Sequence, residues 1–248
     1  MASILDRYGI KEVADVTFYK IAEGGVAGAP VLYLDTLKVS TIEQTAENTP
    51  ARGGKGNSEL IMWDYGKEIT VTLEDALFSA KSMAIMFGSV DSAGEAVIGK
   101  TATIKKTLNK ANVTNGKYTI NGITRTIPSG ATYYNANGTT DGATSASFEY
   151  VTFDIEGKEV STIEISANTF PGTYYITGDT YARSEENGMD EFFQFVIPKA
   201  KVQSEVTLTM EAEGDPSTFS MNLRVLRPAD GKMMKLIKYD IAVDSPMG

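Results

Sequence analysis

The fold is decided by one stretch, residues 60–88, with the sequence LIMWDYGKEITVTLEDALFSAKSMAIMFG. Apolar and polar residues alternate over residues 69–73, and this period of two predicts a strand with one buried face. The apolar spacing then becomes helical, with Thr72 placed to cap the first turn and Gly88 placed to end the helix. We therefore predict a strand that runs directly into a helix at about residues 74–87.

The predicted helix is apolar around much of its circumference. Phe78 and Ile85 lie off the stripe that contains Leu77, Ala80 and Ala84. Such a helix needs cover on more than one side, and a sheet or a neighbouring subunit would supply it.

The remainder of the chain is predicted to be β. Thr, Val, Ile and Tyr are abundant, alternating runs recur from end to end, and 23 glycines supply turns. Residues 31–44 alternate well, but they need a bend near Asp35 to keep their apolar residues on one face. At 248 residues the chain can form one large domain or two small ones.

Residues 89–146 differ in character from the flanking sequence. They are rich in Gly, Asn, Thr and Ser, and they contain three Asn-Gly pairs, which are strong hairpin signals. We predict a β-meander subdomain here, inserted into or appended to a main domain formed by residues 1–88 and 147–248.

The charge is negative, with 23 basic and 32 acidic residues giving a formal net charge of −9. We expect no cluster of Lys and Arg to offset it, so a tight grip on nucleic acid is not expected. Nucleic acid sliding past a negative surface remains possible. The first residues, MASILDRYGIKE, do not resemble a signal peptide, and no span approaches the ~20 apolar residues of a membrane helix. We expect no membrane partner and synthesis in a cytoplasm.

Cysteine and histidine are both absent from the sequence. This excludes disulfides, thiolate nucleophiles, Cys/His zinc sites and His-based triads, and we expect no catalytic residues, cofactor or metal. A carboxylate-dependent hydrolase that uses Glu185 and Glu191 is an alternative. Acids around the Asn-Gly tip of SEENGMD are, however, more typical of a solvated hairpin end.

Residues 45–59, TAENTPARGGKGNSE, form the longest polar interval between two predicted strands. One interpretation is a solvated loop, and the other is an arm that becomes ordered on a neighbouring subunit. In the second case Arg52 and Lys55 would pair with acidic residues of the next copy.

Three runs carry a resemblance to a known family. They are FPGTYYITGDTYARSEENGMDEFFQFVIPKAKV at residues 170–202, VTLTMEAEGDPSTFSMNLRVL at 206–226, and the segment from LDTLKVSTIEQ to TLEDALFS at 34–79. Together they resemble the tail tube (major tail) proteins of tailed bacteriophages. The resemblance implies a mainly β fold, a two-sheet sandwich or β-barrel of the tail-tube type with one flanking helix.

The resemblance also implies a function. Six copies would form a ring, and stacked rings would make a hollow tube through which viral DNA passes, with no catalytic residues. Partners would be the protein itself, other tail proteins such as sheath, baseplate or terminator, and DNA only in transit. The protein would then be located in the virion tail. The residues expected at the subunit interface are Arg52, Lys55, Trp63, Leu77, Phe78, Met83 and Ile85.

A different class of function is also open: a β-sandwich adhesin, carbohydrate-binding protein or virion decoration protein. Tyr118, Tyr133 and Tyr134 favour it, since tyrosines on a loop-rich β surface suit contacts with sugars or proteins.

Overall fold

The computed structural model describes residues 7–140, 144–186, 188–206, 208 and 218–239. Within them the chain is mainly β, as predicted, with one α-helix. The strands are β1 (Tyr8–Ile10), β2 (Asp15–Ile21), β3 (Ala27–Leu34), β4 (Leu37–Gly53), β5 (Ser58–Asp75), β6 (Gly99–Asn109), β7 (Val113–Thr114), β8 (Lys117–Ile120), β9 (Ile123–Thr126), β10 (Thr132–Tyr134), β11 (Tyr150–Thr162), β12 (Thr173–Ser184), β13 (Asp190–Val202), β14 (Phe219–Val225) and β15 (Lys235–Tyr239). The helix is α1 (Ala80–Phe87), and short 3-10 turns occupy Glu23–Gly25 and Lys110–Asn112.

Two compact units make up the chain. The first consists of Met1–Ile98 with Ile163–Gly248, and the second is Gly99–Thr162. The sequence placed the boundaries of the inserted segment at residues 89 and 146. The structural unit extends to Thr162 because β11 pairs along β6.

The first unit is built on one antiparallel sheet with the strand order β3-β2-β12-β13-β14-β5-β4, to which β1 and β15 add at β12 and β13. Its two end strands, β3 and β4, are consecutive in the chain and are separated by only Asp35 and Thr36. Since an extended chain advances at most about 3.6 Å per residue, the two ends of the sheet lie within about 11 Å at this corner. The sheet is therefore rolled on itself, and the predicted bend near Asp35 is the place where one strand ends and the next begins.

A buried carboxylate fixes this corner. Asp75 is 3% exposed, and its Oδ1 accepts hydrogen bonds from the Thr36 hydroxyl at 2.5 Å and the Leu77 amide at 3.2 Å. The Ala76 amide donates to the Thr36 carbonyl at 3.2 Å. These bonds satisfy the buried polar atoms and join the base of β4 to the end of β5.

One hydrophobic cluster fills the first unit, with contributions from both ends of the sheet and from the helix. The Phe18 and Tyr174 rings meet edge to face with centroids 5.8 Å apart. The Tyr174 hydroxyl donates to the Gly94 carbonyl at 2.9 Å, which gives the buried phenol a partner. Burial raises the pKa of Tyr174 to about 12.

Helix α1 begins at Ala80, so the predicted start near residue 74 is wrong. Ser79 is the N-cap: its Oγ accepts from the Ser82 amide at 2.9 Å, and the Ser82 Oγ accepts from the Ser79 amide at 3.1 Å. Thr72, the predicted cap, lies in β5, where its hydroxyl donates to Asn222 at 3.1 Å. The predicted end is correct, since Gly88 adopts the left-handed conformation with φ of 77°.

The polar interval at residues 45–59 is not a long loop. Strands β4 and β5 pair from Leu37↔Asp75 to Gly53↔Ser58, and a short turn at residues 54–57 joins them. The loop prediction was wrong because both faces of this part of the hairpin meet solvent, so its strands lack the alternation that marks a half-buried strand.

The second unit contains two three-stranded sheets, β10-β11-β6 and β7-β8-β9. A separate hydrophobic cluster holds it together, including Leu108, Tyr118, Val151 and Phe153. The Tyr118 and Phe153 rings lie 5.4 Å apart. Because Gly99 pairs with Thr162, the two ends of this unit are neighbours in one ladder.

Candidate subunit interface

The hairpin formed by β4 and β5 has two parts with opposite environments. In the core part, Ile69, Val71 and Leu73 are buried, and β14 pairs with β5 at residues 70–75. The other part, which we call the distal hairpin, comprises residues 45–67, and every β5 residue from 58 to 67 is exposed. Neither of its outer edges pairs with another strand among the described residues. The distal hairpin therefore extends beyond the core.

Large apolar side chains lie along the β5 strand of the distal hairpin. Five of them lie almost consecutively in β5 and are each more than half exposed: Leu60, Ile61, Met62, Trp63 and Tyr65. Since neighbouring residues of a strand point to opposite sides, Met62 faces one side while Ile61 and Trp63 face the other. Exposed apolar groups gathered in this way mark an interaction surface more often than singly scattered ones do.

The unpaired edges of the distal hairpin are a second interaction feature. Backbone N–H and C=O groups of an edge strand are free to pair with another chain, and natural proteins usually cover or break such edges. Here β4 and β5 combine open edges with apolar faces, and both features fit an added strand or hairpin from another copy.

The structure places Arg52 and Lys55 at the end of the distal hairpin. The Arg52 guanidinium pairs with Glu59 across the turn, so it already has an acidic partner within its own chain. Both groups of this pair are about half exposed, and such pairs contribute little to stability. Lys55 lies in the turn itself, is exposed, and has no ion pair within the described part of the chain.

The remaining predicted interface residues fall near α1 and differ in exposure. Leu77 and Phe78 precede the helix and are 64% and 43% exposed. Phe78 also packs edge-on against Phe219, with ring centroids 5.1 Å apart. Met83 is half-buried, and Ile85 is fully buried in the core of its own chain. Ile85 is therefore not available to another subunit in this conformation.

Three acidic side chains around the 184–190 turn are engaged in ion pairs. Arg183 binds Asp190 through two bonds of 2.7 Å, which hold the pKa of the Asp190 carboxyl below its ordinary value. Glu191 pairs with Lys238 at 2.6 Å, and Glu185 lies 3.8 Å from Arg7. The arrangement is that of a hairpin end cross-linked by cations, and it gives no support to a pair of catalytic carboxylates.

The tyrosines that favoured an adhesin are partly used inside the second unit. Tyr118 is 4% exposed, and Tyr133 packs edge-on against Phe148 with ring centroids 5.1 Å apart. Tyr134 is half-buried. They do not form the exposed aromatic platform on which a sugar could stack.

The described residues contain neither a membrane-spanning helix nor a cluster of metal-ligating side chains. No helix there combines the length and apolar character needed to cross a membrane. Within the same part of the chain, no three Asp or Glu side chains come together as a possible metal site.

Comparison with protein-family models identifies one family. The model of the YomU/Tube protein family matches residues 8–238 and thus nearly the entire chain, including the second unit. This is a family of phage tail tube proteins, so the match confirms the resemblance inferred from the sequence. No curated protein was found to match the chain.

Proposed function

Since the chain belongs to the YomU/Tube protein family, we propose that it is a non-enzymatic virion protein whose copies assemble into stacked rings around a conduit for viral DNA. Six copies per ring and contacts with sheath, baseplate or terminator proteins follow from the resemblance to tail tube proteins. The family match itself identifies the chain as a phage tube protein of the virion tail.

The observation that carries the proposal is the distal hairpin. Its exposed apolar residues and open edges are incomplete in a single chain, and another copy of the same chain would complete them. Burying one large apolar side chain contributes roughly 1.5–3 kcal/mol, so Ile61 and Trp63 together would supply a substantial part of a subunit contact. Leu77 and Phe78, which follow the core end of β5, would form a separate contact, and Lys55 at the other end of the hairpin would pair with an acid of the next copy.

The net charge of −9 supports the conduit part of the proposal. Double-stranded DNA carries one negative charge per ~1.7 Å, so a cationic lumen would retain it, whereas an acidic lumen lets it pass. Acidic side chains of the first unit would line the channel in this arrangement.

The experiment compares assembly of three proteins by negative-stain electron microscopy and sedimentation velocity. The wild type should form annuli or tubes with an open centre. The double variant Ile61→Ser with Trp63→Ser should stay monomeric or dissociate at least about tenfold more readily, because it loses apolar area at the contact. Its control is Ile120→Ser with Ile123→Ser, which removes two exposed isoleucines from the second unit.

Each outcome decides for or against the proposal. Urea unfolding of both variants tests whether they retain the fold of the wild type. A wild type that is monomeric at high concentration contradicts self-assembly. Unchanged assembly of Ile61→Ser with Trp63→Ser, or equal loss of assembly in the two double variants, contradicts the role given to the distal hairpin.

A further inference from the structure

The second unit differs in charge from the rest of the protein. It contains seven Lys and Arg against five Asp and Glu, a net charge of +2 within a chain of −9. Residues 99–140 contain no acidic residue at all, and the cations there are Lys100, Lys105, Lys106, Lys110, Lys117 and Arg125. The expectation that no cluster of cations offsets the negative charge is therefore wrong for this segment.

An open cavity of about 690 Å³ lies within this unit, between β6 and the β7–β9 sheet. Two ammonium groups, Lys106 and Lys117, line it. The other polar groups of its wall are amides and hydroxyls, among them Asn112, Asn115 and Thr119. The cavity thus combines positive charge with neutral hydrogen-bonding groups and contains no carboxylate in its lining.

Lys106 has an unusual position for a lysine. It lies opposite Phe153 in the β6–β11 ladder, on the face of β6 that also carries the buried Leu108, and it is half-buried. Its neighbour Lys105 points to the other face and pairs with Asp154 at 2.8 Å. Neither Lys106 nor Lys117 forms an ion pair in the part of the chain that the structure describes. A half-buried ammonium without a counterion favours binding of an anion.

We propose that this cavity binds an acidic glycan, whose sugars carry carboxylate or sulfate groups. The two lysines would neutralise the acidic group, and the surrounding amides and hydroxyls would hydrogen-bond the sugar hydroxyls. This mode of binding uses charge and hydrogen bonds and needs no aromatic platform. Single-stranded nucleic acid fits less well, because it combines a basic groove with exposed aromatic rings for base stacking, and Tyr118, the aromatic residue in this wall, is 4% exposed. The proposal uses none of the distal hairpin and is independent of self-assembly.

The test is isothermal titration calorimetry on the full chain with four probes: alginate oligosaccharide, dextran sulfate, neutral dextran and a short DNA duplex. At least one of the two acidic glycans should bind and neutral dextran should not. The double variant Lys106→Gln with Lys117→Gln should weaken binding roughly tenfold or more, since it removes two charge-assisted contacts.

The control is Lys100→Gln with Lys158→Gln, which makes the same change of charge in the same unit outside this cavity. It should change affinity by less than about threefold, and Lys106→Arg, which keeps the charge, should retain binding. If the two double variants weaken glycan binding equally, binding depends on the overall charge of the unit and not on this cavity, and the proposed site is wrong. Failure of both acidic glycans to bind, or tighter binding of the DNA duplex, would overturn the ligand class.

Discussion

Gly178 lies opposite Phe195 in the β12–β13 ladder, where the sheet has no space for a methyl group. A Cβ at this position would come within 2.1 Å of the Phe195 ring, and Phe195 is 3% exposed in the core. The ring cannot move without displacing its neighbours in a close-packed interior. The glycine is thus required by packing and not by backbone conformation.

We expect Gly178→Ala to lower the free energy of unfolding by about 1–3 kcal/mol, the usual cost of overpacking a core. In urea denaturation this loss appears as a lower midpoint concentration of urea, with an unchanged dependence of the unfolding free energy on urea concentration. Gly9→Ala is the control, because no atom lies within 4 Å of its added Cβ. Equal losses in the two variants would show that the Phe195 contact is not the cause.

Tyr174 makes stability depend on pH at the alkaline end. Its folded-state pKa is raised to about 12 from 10.0, so between these values the folded state keeps a proton that the unfolded state has released. Stability from this group is complete below pH 10 and falls as the pH rises towards 12.

We therefore expect the stability difference between wild type and Tyr174→Phe to shrink as the pH rises from 9.5 to 11.5. At the lower pH the wild type gains about 1 kcal/mol from the bond to the Gly94 carbonyl, and at the higher pH the cost of keeping the phenol neutral offsets it. Urea unfolding of both proteins across this range gives the difference directly. Parallel curves for the two proteins would contradict the assignment of this pH dependence to Tyr174.

Helix α1 shows which element boundaries a sequence reveals. Its end could be predicted because Gly88 acts locally, through the conformation of one residue. Its start could not, because the last residues of β5 are held in the sheet by β14, and the partner of Thr72 is 150 positions away. Helical spacing of apolar residues was present in that segment, but strand pairing prevailed over it.

The N-cap of helix α1 predicts how much Ser79 contributes to stability. Replacing Ser79 by Ala removes the acceptor for the Ser82 amide, and we expect a loss of about 1 kcal/mol in unfolding free energy. Ser92→Ala, an exposed site in a turn of the same unit, should change it by less than about 0.5 kcal/mol. If Ser79→Ala is as harmless as the control, the cap does not stabilise the helix.

Sequence reasoning found the distal hairpin in part. Arg52, Lys55 and Trp63 were expected at the subunit interface, whereas the exposure of the apolar neighbours of Trp63 in β5 was not predicted, because sequence patterns do not distinguish an apolar side chain in the core from one left exposed. The importance of residues 45–59 was recognisable from their polar and glycine-rich character. Their strand structure follows from pairing with β5, which the sequence did not reveal.

At the scale of the whole molecule, the second unit should be dispensable for assembly. Since Gly99 and Thr162 are paired, their Cα atoms are only about 5 Å apart, and a short Gly-Ser linker can replace residues 99–162. We expect this variant to form rings of the same diameter in electron micrographs and to lose binding of acidic glycans. Failure to assemble, with the first unit folded, would place ring contacts in the second unit.

Salt distinguishes apolar from ionic contacts between copies. Each copy carries a net charge of −9, so copies repel one another, and screening of this repulsion should strengthen association. We expect sedimentation to show tighter assembly when NaCl is raised from about 20 to about 200 mM. Weaker assembly at the higher salt would favour ion pairs, including those of Lys55, as the main contacts.

Strands β4 and β5 continue from the core into the distal hairpin across a β-bulge between Thr45 and Glu47, and the backbone of both strands stays continuous. Strand β5 alone, with 18 residues, is about 60 Å long. Tension applied at the tip would travel along two covalent backbones directly into the sheet. The hydrogen bonds between β5 and β14 lie across the direction of such a pull, so they would be loaded in shear together and not broken one at a time. A force applied by a neighbouring subunit bound to the tip would thus be resisted by the whole core sheet.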